Sequence, residues 1–216
     1  MSEGYLDSTS RAYGSSSARF VELVGVAIGN DFETAEDQAA LAAFAVRIPD
    51  DGLAIDAGCG PGRVARFLAD QGIRNVRGVD IAPGMIDEAR SAHRDIRFDV
   101  APLTSMPVED DSVAAVIYWY SIITTPPQFL DGIWTELNRV LTAEGRALVS
   151  FQAGTGETEV RENAYGTAID LALYRHDPDH VAQTLTDAGF TIESLTQRPP
   201  QLEHEQTTQA ILTCHR

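Results

Sequence analysis

The chain contains the stretch Leu53-Ala54-Ile55-Asp56-Ala57-Gly58-Cys59-Gly60-Pro61-Gly62-Arg63, in which an apolar strand runs directly into three glycines and then a helix. Glycine lets a backbone approach a ligand closely, and the free N–H groups at a helix start favour a carboxylate or phosphate. Ligands of open α/β sheets bind at the carboxyl ends of such strands. A turn of this kind can also serve only to close a tight corner, so a second signal is needed.

That second signal is an acid at the end of the next predicted strand. Asp80 follows Asp56 by 24 residues, and a carboxylate at this place can accept both hydroxyls of a ribose. The glycine spacing is GxGxG, instead of the GxGxxG of dinucleotide-binding proteins. Two signals in register indicate a ribose-containing ligand far more strongly than the glycine turn alone.

Strand and helix patterns alternate regularly after residue 50, which predicts βαβ units and a parallel sheet. Two helices are predicted before that point, at 8–25 and 34–48, and a long irregular segment at 152–175 suggests a lid or binding segment. Predicted strands lie at 53–56, 76–80, 96–100, 113–118, 146–151, 191–196 and 208–214, with helices at 63–70, 83–92, 129–141 and 178–188.

From about residue 51 onward the chain resembles the small-molecule branch of the class I S-adenosylmethionine-dependent methyltransferases. Residues 56–62 are similar to the first motif of that family, and 79–85 (Val-Asp-Ile-Ala-Pro-Gly-Met) to its second-strand motif. Residues 119–127 and 136–146 also resemble that branch. The resemblance implies a Rossmann-like methyltransferase fold: α/β, doubly wound, with a mostly parallel seven-stranded sheet in the order 3-2-1-4-5-7-6 and N-terminal helices.

We expect a single domain over residues 1–216. It would comprise an N-terminal helical cap (1–50), a cofactor-binding core (51–151), and a lid segment with the last strands (152–216). The formal net charge is −16, and all 16 basic residues are arginine. So acidic a chain repels nucleic-acid phosphates and anionic membrane surfaces. No apolar run spans a bilayer and no signal peptide is evident, so we expect a cytoplasmic protein with reduced cysteines.

The resemblance also implies cofactor contacts. Gly58, Gly60 and Gly62 would pass under the methionyl part, and Asp80 would hold the ribose. Asp56 would reach the methionyl ammonium directly or through water, as an acceptor-only carboxylate can. The other predicted contacts are Ile81 and Met85 beside the adenine, the carbonyl of Tyr118 near the ammonium, Cys59 as a small turn residue, and Tyr13 as a lid or a core aromatic.

Two departures from the family pattern affect the site. The acid that usually meets the adenine amino group falls on Pro102, so adenine would rely on Ala101, Leu103 or the nearby Asp99. Thr124 stands where relatives often have histidine, so no general base is predicted there and no catalytic residue is assigned. Covalent catalysis by Cys59 is not indicated, since no His or Asp helper is adjacent.

Aromatic residues near the expected methyl donor suggest a substrate wall, although each also suits a buried core position. Arg175 suits a substrate contact or a surface ion pair equally well. His176 and His180 have a spacing that a metal could use, but Asp177 and Pro178 explain the segment as a helix start, so no metal is predicted. The predicted substrate-binding residues are Trp119, Tyr120, Phe151, Tyr165, Tyr174 and Arg175.

The function that these patterns favour is methyl transfer from S-adenosyl-L-methionine to a small-molecule acceptor by direct in-line displacement, with S-adenosyl-L-homocysteine as product (class EC 2.1.1). Oxygen, nitrogen, carbon and sulfur acceptors are all compatible with the motifs, as is any oligomeric state. One alternative is a domain that binds S-adenosylmethionine as a sensor or scaffold. The other is a nicotinamide-dependent oxidoreductase, disfavoured by the glycine spacing and by the absence of a Tyr-Lys pair.

Overall fold

The computed structural model describes residues 3–29 and 31–216; residues 1, 2 and 30 of the predicted cap lie outside this description. The helices are α1 (Glu3–Val24), α2 (Ala35–Ala45), α3 (Arg63–Asp70), α4 (Pro83–Ala92), α5 (Leu130–Val140) and α6 (Pro178–Asp187). The strands are β1 (Leu53–Ala57), β2 (Asn75–Asp80), β3 (Arg97–Val100), β4 (Val113–Trp119), β5 (Leu141–Gln152), β6 (Thr158–Arg161), β7 (Leu171–Tyr174), β8 (Thr191–Arg198) and β9 (Gln209–His215).

Seven of these strands form one sheet in the order β3-β2-β1-β4-β5-β9-β8. The first five pair in parallel, whereas β9 runs antiparallel to both β5 and β8. Counted within this sheet alone, the order is 3-2-1-4-5-7-6, so the predicted fold and strand order are confirmed. The strand order therefore reverses beside β1, with β2 and β3 on one side and β4 and β5 on the other. Such a switch point opens a crevice at the carboxyl ends of the strands.

The segment 152–175 contains more regular structure than the sequence predicts. Its strands β6 and β7 pair antiparallel, with Thr158 opposite Tyr174 and Arg161 opposite Leu171. Each strand has only four residues and alternates in burial, too short a run for a period-2 pattern to stand out. The prediction of an irregular segment is thus partly wrong. Contacts from a helix distant in the sequence stabilise this hairpin, since Ala12 of α1 packs with Leu171 and Leu173.

Apolar side chains fill both faces of the sheet. On one face, the indole of Trp134 in α5 is fully buried, meets the ring of Tyr118 edge to face at 5.8 Å, and donates to Thr184 Oγ1 at 3.0 Å. The neighbours of Tyr118 in β4 point the other way: Ile117 and Trp119 pack on the opposite face of the sheet, with α2 and α3. This alternation decides which residues of β4 can point away from α5.

Helix α1 begins five residues earlier than the predicted start at residue 8 and lies across α4. A Cβ on Gly84 would lie 2.5 Å from the carbonyl oxygen of Gly14, so the two helices touch through glycine. Ser10 Oγ also donates to the carbonyl of Ile81 at 3.0 Å. These contacts hold α1 over the carboxyl edge of the sheet. No helix within the described residues is both long and apolar enough to cross a membrane.

Candidate functional site

A cavity of about 480 Å³ lies at the carboxyl ends of β1, β2 and β4. The glycine turn between β1 and α3 forms its floor, and α1 together with the β6–β7 hairpin covers it. Residues from the loops before α2 and before β9 line its remaining side. These elements are far apart in the sequence, so the site exists only after the sheet has formed.

The glycines of the turn differ in what requires them. A Cβ on Gly58 would lie 2.2 Å from Ser121 Cβ, and one on Gly62 would lie 2.8 Å from Phe98 Cζ. At Gly60, which has a φ of +50°, a Cβ would meet no described atom within 4 Å, and this residue lines the cavity. Packing therefore requires glycine at positions 58 and 62, whereas position 60 leaves bare backbone facing the cavity.

Asp80 joins the glycine turn to the start of α4. Its Oδ2 accepts a hydrogen bond from the N–H of Gly60 at 2.9 Å, and its Oδ1 accepts one from Ala82 at 2.8 Å. Burial raises the pKa of this carboxyl, against the lowering effect of those N–H groups. The carboxylate is thus fixed in direction and still lines the cavity, with lone pairs left for a hydroxyl-bearing ligand.

Asp56 is a second cavity-lining acid, at the carboxyl end of β1. It is 1% exposed, and its Oδ2 accepts a hydrogen bond from the N–H of Ala65 at 2.8 Å. Burial raises the pKa of this carboxyl to about 7, and the neighbouring charge of Asp80 adds to the shift. A cation entering the cavity would favour the ionised form and lower that pKa.

One wall of the cavity is formed largely by loop residues that belong to no predicted motif. Arg63 Nη2 pairs with Glu33 Oε2 at 2.6 Å, and its guanidinium carbon lies 5.7 Å from the centre of the Phe32 ring. The ring of His204 lies 4.7 Å from the same Phe32 ring. Loop residues of this kind follow no periodicity. The position of Arg63 directly after the glycine motif is the one sequence signal that could have indicated this wall.

A buried ion-pair cluster supports this wall from behind. Arg198 pairs with Asp37 at 2.6 Å and with Glu205 at 2.5 Å, and Glu205 also lines the cavity. Burial acts to raise the pKa of Glu205, but hydrogen bonds from Arg198 and two backbone N–H groups outweigh it and lower that pKa to about 2. Asp37 also accepts from Thr34 in the capping box of α2. The cluster therefore ties α2 to β8.

Three aromatic rings form the cover of the cavity. The rings of Tyr13 and Phe20, both on α1, lie 5.8 Å apart, and Tyr165 of the hairpin lies 5.6 and 5.3 Å from them. At the other end of α1, Tyr5 stacks on Phe129 at 5.2 Å. We call α1 with these ring contacts the roof. The roof covers one side of the cavity.

The core of the sheet is similar to known proteins. Residues 54–145 match the family described as a methyltransferase domain. The methyltransferase GfsG of Streptomyces halstedii is 29% identical over 102 residues, which span 44% of this chain and only 36% of that protein.

Solved structures share this fold at low sequence identity. The 1,6-didemethyltoxoflavin-N1-methyltransferase of Burkholderia thailandensis, solved with 1,6-didemethyltoxoflavin and S-adenosylhomocysteine, matches with a TM-score of 0.75 and 18% identity over 100% of this chain and 90% of its own. The [4+2]-cyclase SpnF matches with a TM-score of 0.76 and 15% identity over 96% of this chain and 94% of its own. Because a protein named as a cyclase has this fold, the fold alone does not decide the activity.

Most of the residues predicted to bind ligands line the cavity. For Cys59, burial raises the pKa of the thiol well above its ordinary value, in keeping with a small turn residue and not a nucleophile. Thr124, in the place where relatives often have histidine, lines the cavity as well. The predicted residues in the lining are Tyr13, Asp56, Gly58, Cys59, Gly60, Asp80, Ile81, Met85 and Leu103 from the cofactor set, and Trp119, Tyr120 and Tyr165 from the substrate set.

Other predicted residues lie outside that lining, for reasons of packing. The side chains of Tyr118 and Phe151 are fully buried in the core on the α5 face. Arg175 pairs with Glu159 at 2.9 Å, which is the surface-type pairing that the sequence left open. The residues outside the lining are Gly62, Ala101, Pro102 and Tyr118 from the cofactor set, and Phe151, Tyr174 and Arg175 from the substrate set.

His176 is a core residue of the protein. It is fully buried, and its Nε2–H donates to the carbonyl of Ile122 at 3.0 Å. Burial lowers the pKa of its imidazole, so the ring is neutral. Among the described residues no group of three or more His, Cys, Asp and Glu side chains is placed to hold a metal ion. His176 therefore anchors the loop after β4 to the start of α6.

Proposed function

We propose that this protein transfers a methyl group from S-adenosylmethionine to a small-molecule acceptor and releases S-adenosylhomocysteine. The observation that supports this most directly is the pairing of Gly60 with Asp80 on the cavity floor. One provides bare backbone where a ligand can lie close, and the other provides a fixed carboxylate beside it. The matched methyltransferase family and the fold agree with this function.

The residues present fit the cofactor. The carboxylate of Asp80 would accept hydrogen bonds from the two ribose hydroxyls, and Asp56 would face the methionyl ammonium. Burial raises the pKa of Asp56 to about 7, and the positive charge of the ammonium would lower that pKa and so favour the ionised carboxylate. Gly60 leaves space that a Cβ would occupy. Ile81 and Met85 provide an apolar edge beside Asp80 for the adenine ring.

When bound, the cofactor supplies a methyl group on a sulfonium, which is already a strong electrophile. The protein's part is then to align the acceptor and to exclude water. The roof would shield the site from water, and Trp119 and Tyr120 at the end of β4 provide an aromatic wall against which an acceptor can be oriented. We assign no general base, since Thr124 holds no readily titrating group in the place where relatives often have histidine.

We also propose that residues 1–216 act as one domain and that the acceptor is a small molecule. The formal net charge of −16 supports this, because a nucleic-acid acceptor would be repelled. A single domain is supported by the cavity, which takes lining residues from α1, from the core and from the loop before β9.

Calorimetry and a turnover assay test this function. We expect S-adenosylhomocysteine to bind one site per chain and NAD not to bind. We then expect S-adenosylhomocysteine to accumulate when S-adenosylmethionine is supplied with a panel of small acceptors. Binding of NAD in place of S-adenosylhomocysteine would indicate an oxidoreductase. Tight binding without turnover across a broad panel would indicate a sensor, or another reaction on the same fold.

A further inference from the structure

Two glutamine side chains lie side by side on the cavity wall, at the end of the sheet. Gln152 is the last residue of β5 and Gln209 is the first of β9, and the two are paired in the antiparallel register. Both line the cavity. Because β5 runs parallel to β4, which runs parallel to β1, the pair lies at the same carboxyl edge as the glycine turn.

The hydrogen-bonding groups of this pair are only partly used within the protein. Gln209 is 3% exposed, and its Nε2 donates to the carbonyl of Thr207 at 2.7 Å. Within residues 3–29 and 31–216, no group donates to Gln209 Oε1, and the carboxamide of Gln152 has no partner. Both residues line the cavity, so these unused amide groups can form hydrogen bonds with a ligand there.

An aromatic wall stands next to the glutamines. The backbone N–H of Tyr120 donates to the carbonyl of Ser150, two residues before Gln152, at 3.1 Å. The rings of Trp119 and Tyr120 meet edge to face at 5.5 Å, and both residues line the cavity. Tyr120 has a φ of +54°, a strained conformation for an aromatic residue of the kind found at ligand sites. Flat aromatic surfaces favour a flat ligand.

The charges around the cavity disfavour an anionic ligand. The arginines in its described lining are both paired: Arg63 with Glu33 at 2.6 Å, and Arg161 with Glu159 at 3.2 Å. Arg161 shares Glu159 with Arg175, and four acids also line the cavity: Glu33, Asp56, Asp80 and Glu205. Acids thus outnumber arginines in the described lining, so an anionic acceptor would be repelled. A buried charge on the acceptor needs a partner, whereas an uncharged acceptor needs none.

We propose that Gln152 and Gln209 bind the methyl acceptor, and that the acceptor is an uncharged planar ring with a hydrogen-bond donor beside a carbonyl on one edge, as in a lactam or imide. Gln209 Oε1 accepts from the ring N–H or O–H, and Gln152 Nε2 donates to the carbonyl. This inference rests on the proposed function, because only a methyltransferase would use the bound molecule as a methyl acceptor. Recognition of the ring edge by the two glutamines is tested by binding alone.

The test uses two bicyclic probes of similar shape: quinazoline-2,4-dione, which has an imide edge, and quinazoline, which has none. Calorimetry is performed on the full chain saturated with S-adenosylhomocysteine. We expect the dione to bind at least about tenfold more tightly than quinazoline. Gln152→Leu and Gln209→Leu should each remove that preference and leave the affinity for S-adenosylhomocysteine unchanged. Gln197→Leu, on an exposed position of β8, is the matched control and should keep the preference.

Equal binding of the two probes, failure of both to bind, or a preference that survives in both cavity variants would overturn the proposal. Gln152→Leu is the more informative variant, because its side chain makes no bond within the described protein that folding could require. If the wild-type chain fails to bind S-adenosylhomocysteine, the proposed function fails. The same titrations without that ligand then still decide whether the glutamine pair recognises the imide edge.

Discussion

Substitution of Gly60 by alanine tests the glycine turn most sharply. A residue with a Cβ at its φ of +50° costs about 1–2 kcal/mol of folding free energy. The added methyl group would enter the cavity, where no described atom lies within 4 Å, and so would meet only the ligand. Overpacking by one methyl group costs about 1–3 kcal/mol, which corresponds to a loss of about 5- to 150-fold in affinity for S-adenosylhomocysteine.

Gly72 provides the matched control for this experiment. It also has a positive φ, +94°, and open space around its Cβ position within the described chain, but it does not line the cavity. Gly72→Ala should therefore cost similar stability in urea unfolding and leave calorimetric affinity unchanged. If folded Gly60→Ala binds S-adenosylhomocysteine as tightly as Gly72→Ala does, the cofactor does not lie against position 60.

Three further predictions concern charged groups. Asp80→Ala should weaken S-adenosylhomocysteine binding about ten- to a hundredfold in calorimetry and also lower stability, since two N–H groups lose their acceptor; normal affinity would refute the ribose assignment. Because Asp56 has a pKa of about 7, affinity for the ligand's ammonium should rise about tenfold from pH 6 to 8, and Asp56→Asn should flatten that profile. Arg198→Ala should cost about 3–5 kcal/mol at pH 7 by leaving Asp37 and Glu205 unpaired. The pKa of Glu205 is lowered to about 2 in the folded protein, so its ion pair stabilises the fold at pH values above the ordinary carboxyl pKa and loses this effect as the pH falls towards 2. The loss of unfolding free energy caused by Arg198→Ala should therefore shrink in acid. An unchanged loss in urea titrations at low pH would contradict the pairing.

Local patterns were sufficient for the parallel part of the fold. Helices α3 and α4 begin and end where the sequence predicts, because Gly62, Pro83 and the apolar spacing mark their limits. The glycine turn and Asp80 were predicted as neighbours because the carboxyl ends of adjacent parallel strands meet at one edge. Their hydrogen bond at 2.9 Å follows from that geometry.

The parts that were missed depend on contacts between distant segments. The β6–β7 hairpin is stabilised by α1, and the wall formed by Phe32 and His204 joins two loops more than 170 residues apart. Phe151, predicted as a substrate contact, is aromatic and close to the sheet's carboxyl edge, yet the alternation of β5 turns its side chain towards α5.

The roof also has a consequence for the timing of exchange. Since α1 covers one side of the cavity and is held through Tyr13, Ser10 and the Gly14–Gly84 contact, we expect these contacts to open when a ligand enters or leaves. A ligand uses the same opened path to enter and to leave, so the frequency of opening changes the association and dissociation rates by the same factor. A looser roof would therefore shorten residence time with little change in equilibrium affinity, and stopped-flow measurements would detect what calorimetry cannot.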